Sequence, residues 1–271
     1  MREAHTALFS IGLLILLMAQ PVLGAPESAR KPSEDRSNVG TPPRSLHLAS
    51  FYKKYVDAAG LPIVSSGRVP DRALRIAADL ASQMLARRPD IRQALLDAHV
   101  RVAILARQEV TTDLPEYRTL APKTYWDHRA RGLGATPERP VSSAAEENLL
   151  GYTTDPYRGE SIFIHEFAHT IHEMALNHID PQFEPRLQRL YRQAQQRGLW
   201  RMTYAGRDFK EYWAEGVQSW FDANLEADPP NGIHNQVNTR EELERYDSEL
   251  AALIAEVFVQ TPWRWKPPAE H

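Results

Sequence analysis

Cysteine is absent from the 271 residues. That excludes disulfides and a lipid-modified cysteine, so the fold must rest on core packing, which a chain of this length can supply. Basic charge is not in excess either. Lys and Arg number 32 against 35 Asp and Glu, a formal net charge of −3, which gives no sign of nucleic-acid binding. There is no fixed-period repeat. Long apolar runs are missing except for residues 7–19, ALFSIGLLILLMA, which follow Arg2. A membrane span needs about 20 residues, and this run is shorter, so it suits the core of a signal peptide. Val22, Leu23 and Gly24 offer a cleavage site that leaves Ala25 first. The other reading is an uncleaved N-terminal anchor. The expectation is a signal peptide over 1–24 and a secreted or periplasmic protein, with no stable membrane insertion after cleavage.

Residues 25–45 are rich in Pro, Ser and charge and lack periodicity, the pattern of a disordered linker. Residues 46–265 then make the folded domain, and 266–271 a tail. Within the domain, 50–59 reads as a helix stopped by Gly60, and 61–65 as a short strand. A clearer helix covers 70–88, with Ala73, Leu74, Ala77, Leu80, Ala81, Met84 and Leu85 on one face and Pro89 at its end. Asp90 opens a short helix, and 100–106 is dense in β-branched residues and predicts a buried strand. Residues 111–159 are long, Pro- and Gly-punctuated and weakly periodic. Segments of that kind inside a domain are functional or disordered, and the apolar patch at Leu149, Leu150 and Tyr152 argues for order. Val141 to Tyr152 is the candidate for an extended edge able to pair with a peptide backbone, the other reading being a surface loop. Later helices are expected from Asp180 to Gly198, from Asp208 onward, and from Thr239 to Val259 as one continuous apolar stripe. Trp263 and Trp265 are expected to pack the tail onto the domain.

The chemistry concentrates in Ile162-Phe163-Ile164-His165-Glu166-Phe167-Ala168-His169. Residues four apart share a helix face, so His165 and His169 can converge on one metal ion. Glu166 lies to the flank, placed to take a proton from water at the metal without ligating it. Two imidazoles suit Zn²⁺, and a third protein ligand leaves one position open for water. Apolar residues at 162, 164, 167, 168, 171, 174 and 175 fit a largely buried helix; incidental histidines on a core helix are the competing reading. Downstream, Glu211 and Glu215 stack four apart among Tyr212, Trp213, Trp220 and Phe221. Burying two unpaired carboxylates is costly, and a metal or a histidine network removes that cost. A solvated acidic face is the alternative.

The metzincin layout needs Gly at 172 and His at 175, but the chain has His172 and Ala175. The thermolysin layout needs an Asn-Glu-x-x-x-Asp-type motif, which is missing. His172 shares the face of the other two histidines but lies about 10.5 Å along the axis from His165 at 1.5 Å per residue, too far for one ion. It is read as pocket wall or as support behind a ligand, or else as a packed histidine.

With HEFAH at 165–169, Glu211-Tyr-Trp-Ala-Glu215, and Tyr204 seven residues before Glu211, the chain resembles the lethal-factor-like zinc peptidases, which include the anthrax lethal factor catalytic domain and the Pro-Pro endopeptidases. The resemblance implies that Glu211 is the third zinc ligand. It implies that Tyr204 faces the metal with a role in the transition state, and that Glu215 supports a liganding histidine from behind. It implies an α+β zincin-like fold of gluzincin type: a small sheet in an upper lobe, the HExxH helix at the cleft floor, and a helical lower lobe. The activity so implied is that of a monomeric, exported zinc endopeptidase acting on a peptide or protein substrate, with Glu166 as general base. Two other readings stand beside it: a catalytically silent metal-binding module on the same fold, and a metal hydrolase of a non-peptide amide.

Overall fold

One mixed sheet of four strands in the order β1-β2-β3-β4 carries the N-terminal half of the domain. β1 (Lys54–Ala58) turns through Ala59 and Gly60 into β2 (Leu61–Ser65), antiparallel, with Tyr55 opposite Val64. The segment expected as a helix over 50–59 is therefore half a hairpin. Both turn residues take positive φ, 53° and 96°, which suits a two-residue turn with Gly in second place, and the Asp57 carboxylate accepts the Gly60 N–H at 3.0 Å. Pairing with β2 outweighs whatever local helix preference this stretch has.

Helices α1 (Asp71–Leu85) and α2 (Pro89–Asp97) lead to β3 (Arg101–Leu105), which runs parallel to β2. All seven residues of the expected apolar face of α1 are buried. They meet Ile63, Val102 and Ile104 in the main core, while Val64, Ala103 and Leu105 turn to the other face and a smaller cluster with Tyr52, Leu114 and Tyr117. That is the two-residue alternation of a strand. After α3 (Lys123–Arg129), β4 (Val141–Ala145) lies parallel to β3. The expected extended edge over 141–152 is corrected in two ways. Beyond Ala145 the chain enters α4 (Glu146–Leu150), and the free side of β4 is covered at Ser143 by Leu133, whose N–H and C=O both bond it.

The remaining elements are helical: α5 (Ile162–Ile171), a π-helical turn (His172–Leu176), α6 (Asn177–Ile179), α7 (Phe183–Gln196), α8 (Phe209–Trp220), α9 (Arg240–Tyr246) and α10 (Ser248–Phe258). The stripe expected as one helix over 239–259 breaks at Asp247. Its buried carboxylate caps α10 through the Leu250 N–H and accepts from Tyr212 Oη at 2.7 Å and Trp200 Nε1 at 2.9 Å. Satisfying three donors at once takes Asp247 out of helical geometry.

The computed structural model describes residues 38–259 and 261–269, all within the compact unit Asp35–His271. The proposed signal peptide and residues 25–37 of the expected linker lie outside the described residues. Residues 38–45 depart from a disordered linker, because Gly40 bridges Tyr55 through two backbone bonds. The tail is anchored as expected: Trp263 packs on Phe221 and the Trp265 N–H bonds the Phe221 carbonyl. Among the described residues, no helix is long and apolar enough to cross a membrane.

Candidate metal centre

Two helices build the site. On α5, Ser161 caps the N-terminus by accepting the Ile164 N–H, and the Asn148 side chain takes the Ile162 N–H. His165 and His169 follow one turn apart. On α8, the Asp208 carboxylate accepts the N–H groups of Lys210 and Glu211, so Glu211 stands in the first turn. Trp213 Nε1 donates to the Ala168 carbonyl at 2.9 Å and ties the two helices together.

The three expected ligands meet. His165 Nε2, His169 Nε2 and Glu211 Oε2 are separated by 3.1, 3.1 and 3.2 Å. Tetrahedral zinc with bonds of about 2.0–2.1 Å separates its donor atoms by about 3.3 Å, so the triangle has the size of such a site. The donor set fits as well: two imidazoles and one carboxylate, the chemistry of a catalytic zinc site. Burial pushes the His165 imidazole down, but the Glu211 hydrogen bond and the charges of Glu166, Glu215 and Glu211 outweigh it and raise it to about 10. Burial pushes Glu211 up, yet its hydrogen bonds to the two histidines hold it well below the usual carboxylate range. Both shifts have one cause: these donors favour a positive charge among them.

Glu211, Glu215 and Gln218 follow at i, i+4 and i+7 on α8, and all three reach His165. Gln218 Oε1 lies 2.8 Å from His165 Nδ1, nearer than Glu215 Oε1 at 3.5 Å. The Gln218 amide nitrogen donates to Glu160, Ser161 and Ala223, which turns its oxygen to the imidazole. In its neutral form His165 therefore carries its proton on Nδ1 and offers Nε2 to a metal. Glu215, expected behind the histidine, is thus present but stands farther from Nδ1 than Gln218 does. Glu215 is held by Asn224 at 3.0 Å, and burial raises its pKa.

A cleft of about 660 Å³ opens over the triangle. Its floor is α5, with His165, Glu166 and His169. One wall is residues 130–136, and Tyr204, Glu211 and Ile233 border the other side. Glu166 is raised by burial, offset by the two histidines, and its carboxylate takes the Gly134 N–H. The Ala135 N–H bonds Thr170 Oγ1, which in turn donates to the Glu166 carbonyl. Tyr204 brings its ring centroid to 6.2 Å from that of His165, with its hydroxyl between Glu211, Arg129 and Arg207. Burial and the Glu211 charge push the phenol up to about 12.

His172 is the exception among the expected site residues. It does not line the cleft. At its height along the helix the face is covered by Phe183 of α7 and by Phe209 and Trp213 of α8, so it is a packed histidine. Sequence reasoning missed Gln218, Arg129 and the 130–136 wall. The i+7 spacing from Glu211 could have signalled Gln218; Arg129 carries no local pattern.

No protein-family model matches the chain, and no curated protein sequence does. Among solved structures it is similar to a Pro-Pro endopeptidase, PPEP-2, from Paenibacillus alvei. The match is 16% identical, with a TM-score of 0.49, over 72% of this chain and 97% of that one.

Proposed function

We propose that this protein is a zinc-dependent endopeptidase. The observation that carries the reading is the donor triangle of His165, His169 and Glu211 at the floor of an open cleft with Glu166 beside it. Zinc held there would supply a Lewis acid that polarises a carbonyl and acidifies the attacking water. Glu166 takes the proton of that water and returns it to the leaving amine. Its neighbourhood suits both steps, since burial favours the protonated carboxyl and the two histidines the ionised one. Tyr204 donates a hydrogen bond from its phenolic hydroxyl to the developing oxyanion. Glu211 holds the metal, and Gln218, with Glu215 beside it, keeps His165 turned to it.

The substrate is a peptide laid along residues 130–136. Leu133 spends its backbone groups on Ser143 and Gly134 gives its N–H to Glu166, so strand alternation leaves the Gly132 peptide groups, on the side away from β4, to face the cleft. Main-chain pairing along such a wall selects extended backbone. Zinc analysis with cleavage of a mixed peptide library tests the proposal. Wild type should hold about one zinc per chain and cut internal bonds. Glu166→Gln should hold the same zinc and lose roughly 10²–10⁴-fold in rate. A Glu166→Gln protein that turns over like wild type removes Glu166 from the mechanism, and zinc binding with no cleavage by wild type leaves a silent metal module.

A further inference from the structure

Tyr204 Oη accepts a hydrogen bond from Arg129 Nη2 at 3.0 Å and a second from Arg207 Nη1 at 3.3 Å. A guanidinium has donors and no acceptor, and a phenol has one proton and two lone pairs. The two arginines therefore fill the accepting side of the hydroxyl. The single phenolic proton is therefore left on the side away from the two guanidinium groups, and Tyr204 lines the cleft together with Glu211. Arg129 ends α3 with its guanidinium 5.8 Å from the Tyr125 ring, and Arg207 lies 5.5 Å from the Tyr204 ring within the turn that joins the two residues.

We propose that Arg129, seconded by Arg207, is a positioning residue that fixes the Tyr204 hydroxyl as a donor facing the reacting carbonyl. This rests on the peptidase reading of the site. Left alone, a phenol beside two histidines and a carboxylate can turn either to accept or to donate. Cations on its accepting side remove the first choice and polarise the O–H bond toward an incoming oxyanion. Arg129 reaches Tyr204 from the 111–159 segment, so that long connection has a function in catalysis as well as in walling the cleft. The sequence separation is 75 residues, and only the fold brings the pair together.

The test compares wild type, Arg129→Met, Arg129→Lys, Tyr204→Phe and Arg129→Met combined with Tyr204→Phe. It reads kcat and KM on a cleaved peptide, zinc content, and the Kd of a phosphinic peptide whose tetrahedral centre mimics the addition intermediate. Arg129→Met should keep its zinc, lower kcat about 10-fold with KM nearly unchanged, and weaken the phosphinic peptide by a similar factor. Arg129→Lys should recover most of the loss. In the Tyr204→Phe background, Arg129→Met should cost less than about 2-fold, because its target is gone. Multiplying effects of the two substitutions, or a rise in KM alone, would make Arg129 an independent substrate contact and overturn the proposal. Unchanged kcat and unchanged phosphinic affinity overturn it too. A wild type that holds zinc yet neither cleaves peptides nor binds the phosphinic peptide sinks the peptidase reading first, and the positioning role with it.

Discussion

At the scale of single residues, the orientation of His165 decides whether the triangle can hold a metal. An imidazole ligates through a bare nitrogen, and which nitrogen is bare depends on what the other one faces. Here that is Gln218, fully buried, with its amide nitrogen pinned by three oxygens. A glutamine holds the tautomer without adding a negative charge to a region already crowded by Glu160, Glu211 and Glu215. Gln218→Leu should therefore weaken zinc about 10–100-fold, the usual cost of losing support behind a ligand. Glu215→Gln, at the longer contact, should weaken it less. Competition against a chromophoric chelator measures both, with circular dichroism checking the fold. The reverse order of losses would return the supporting role to Glu215.

At the scale of elements, the site is a seam between α5 and the 130–136 wall, and the seam is tight. A β-carbon on Gly134 would fall 2.6 Å from His169 Cβ, closer than unstrained atoms approach. Gly134→Ala should push the wall or the ligand aside. Its expected cost is about 1–3 kcal/mol of stability together with weaker zinc binding. Gly40→Ala, where the added carbon meets nothing within 4 Å, is the matched control. Melting temperature and zinc content read both variants, and a Gly134→Ala protein indistinguishable from the control would mean the wall does not press on the helix. The seam also marks the limit of what sequence reveals. Two corners of the triangle were legible because His165 and His169 sit at helical spacing; the third, Glu211, came from the resemblance of the Glu211–Glu215 segment, since spacing alone left a metal, a histidine network and a solvated face open. The wall was not legible, since Leu133 and Ser143 pair across ten residues with no periodic signal between them. The same cause lies behind β1, whose partner strand gives it a structure its local pattern does not. It also lies behind the break at Asp247, whose partners Trp200 and Tyr212 are distant in sequence.

At the scale of the whole molecule, the buried histidine that the site does not use ties stability to pH. His172 has no exposed surface, and neither ring nitrogen has a hydrogen-bond partner. Around it stand Phe183, Phe209 and Trp213. The charged and titratable groups facing it are Glu184 Oε2 at 3.5 Å, Glu173 Oε1 at 4.0 Å, Lys210 beside Glu173, and His169. Burial pushes the imidazole down to about 4; Glu184 opposes the shift, and His169 and Lys210 add to it. The unfolded chain, near the ordinary value of about 6.5, thus binds a proton more readily than the folded one. Stability is complete above about pH 6.5 and is lost as pH falls toward 4, where folding must expel that proton or bury a charge. Over this span of about 2.5 pH units the loss approaches roughly 3 kcal/mol at 1.36 kcal/mol per unit. His172→Phe removes the titration and keeps an aromatic filler. In chelator-treated protein, which takes metal release out of the comparison, wild type and variant should unfold in urea within about 1 kcal/mol of each other at pH 7.5. At pH 4.5 the variant should be the more stable by about 2 kcal/mol, because every other titrating group is common to both and cancels. A difference that stays constant from pH 7.5 to 4.5 would mean that His172 is solvated or charged in the native state.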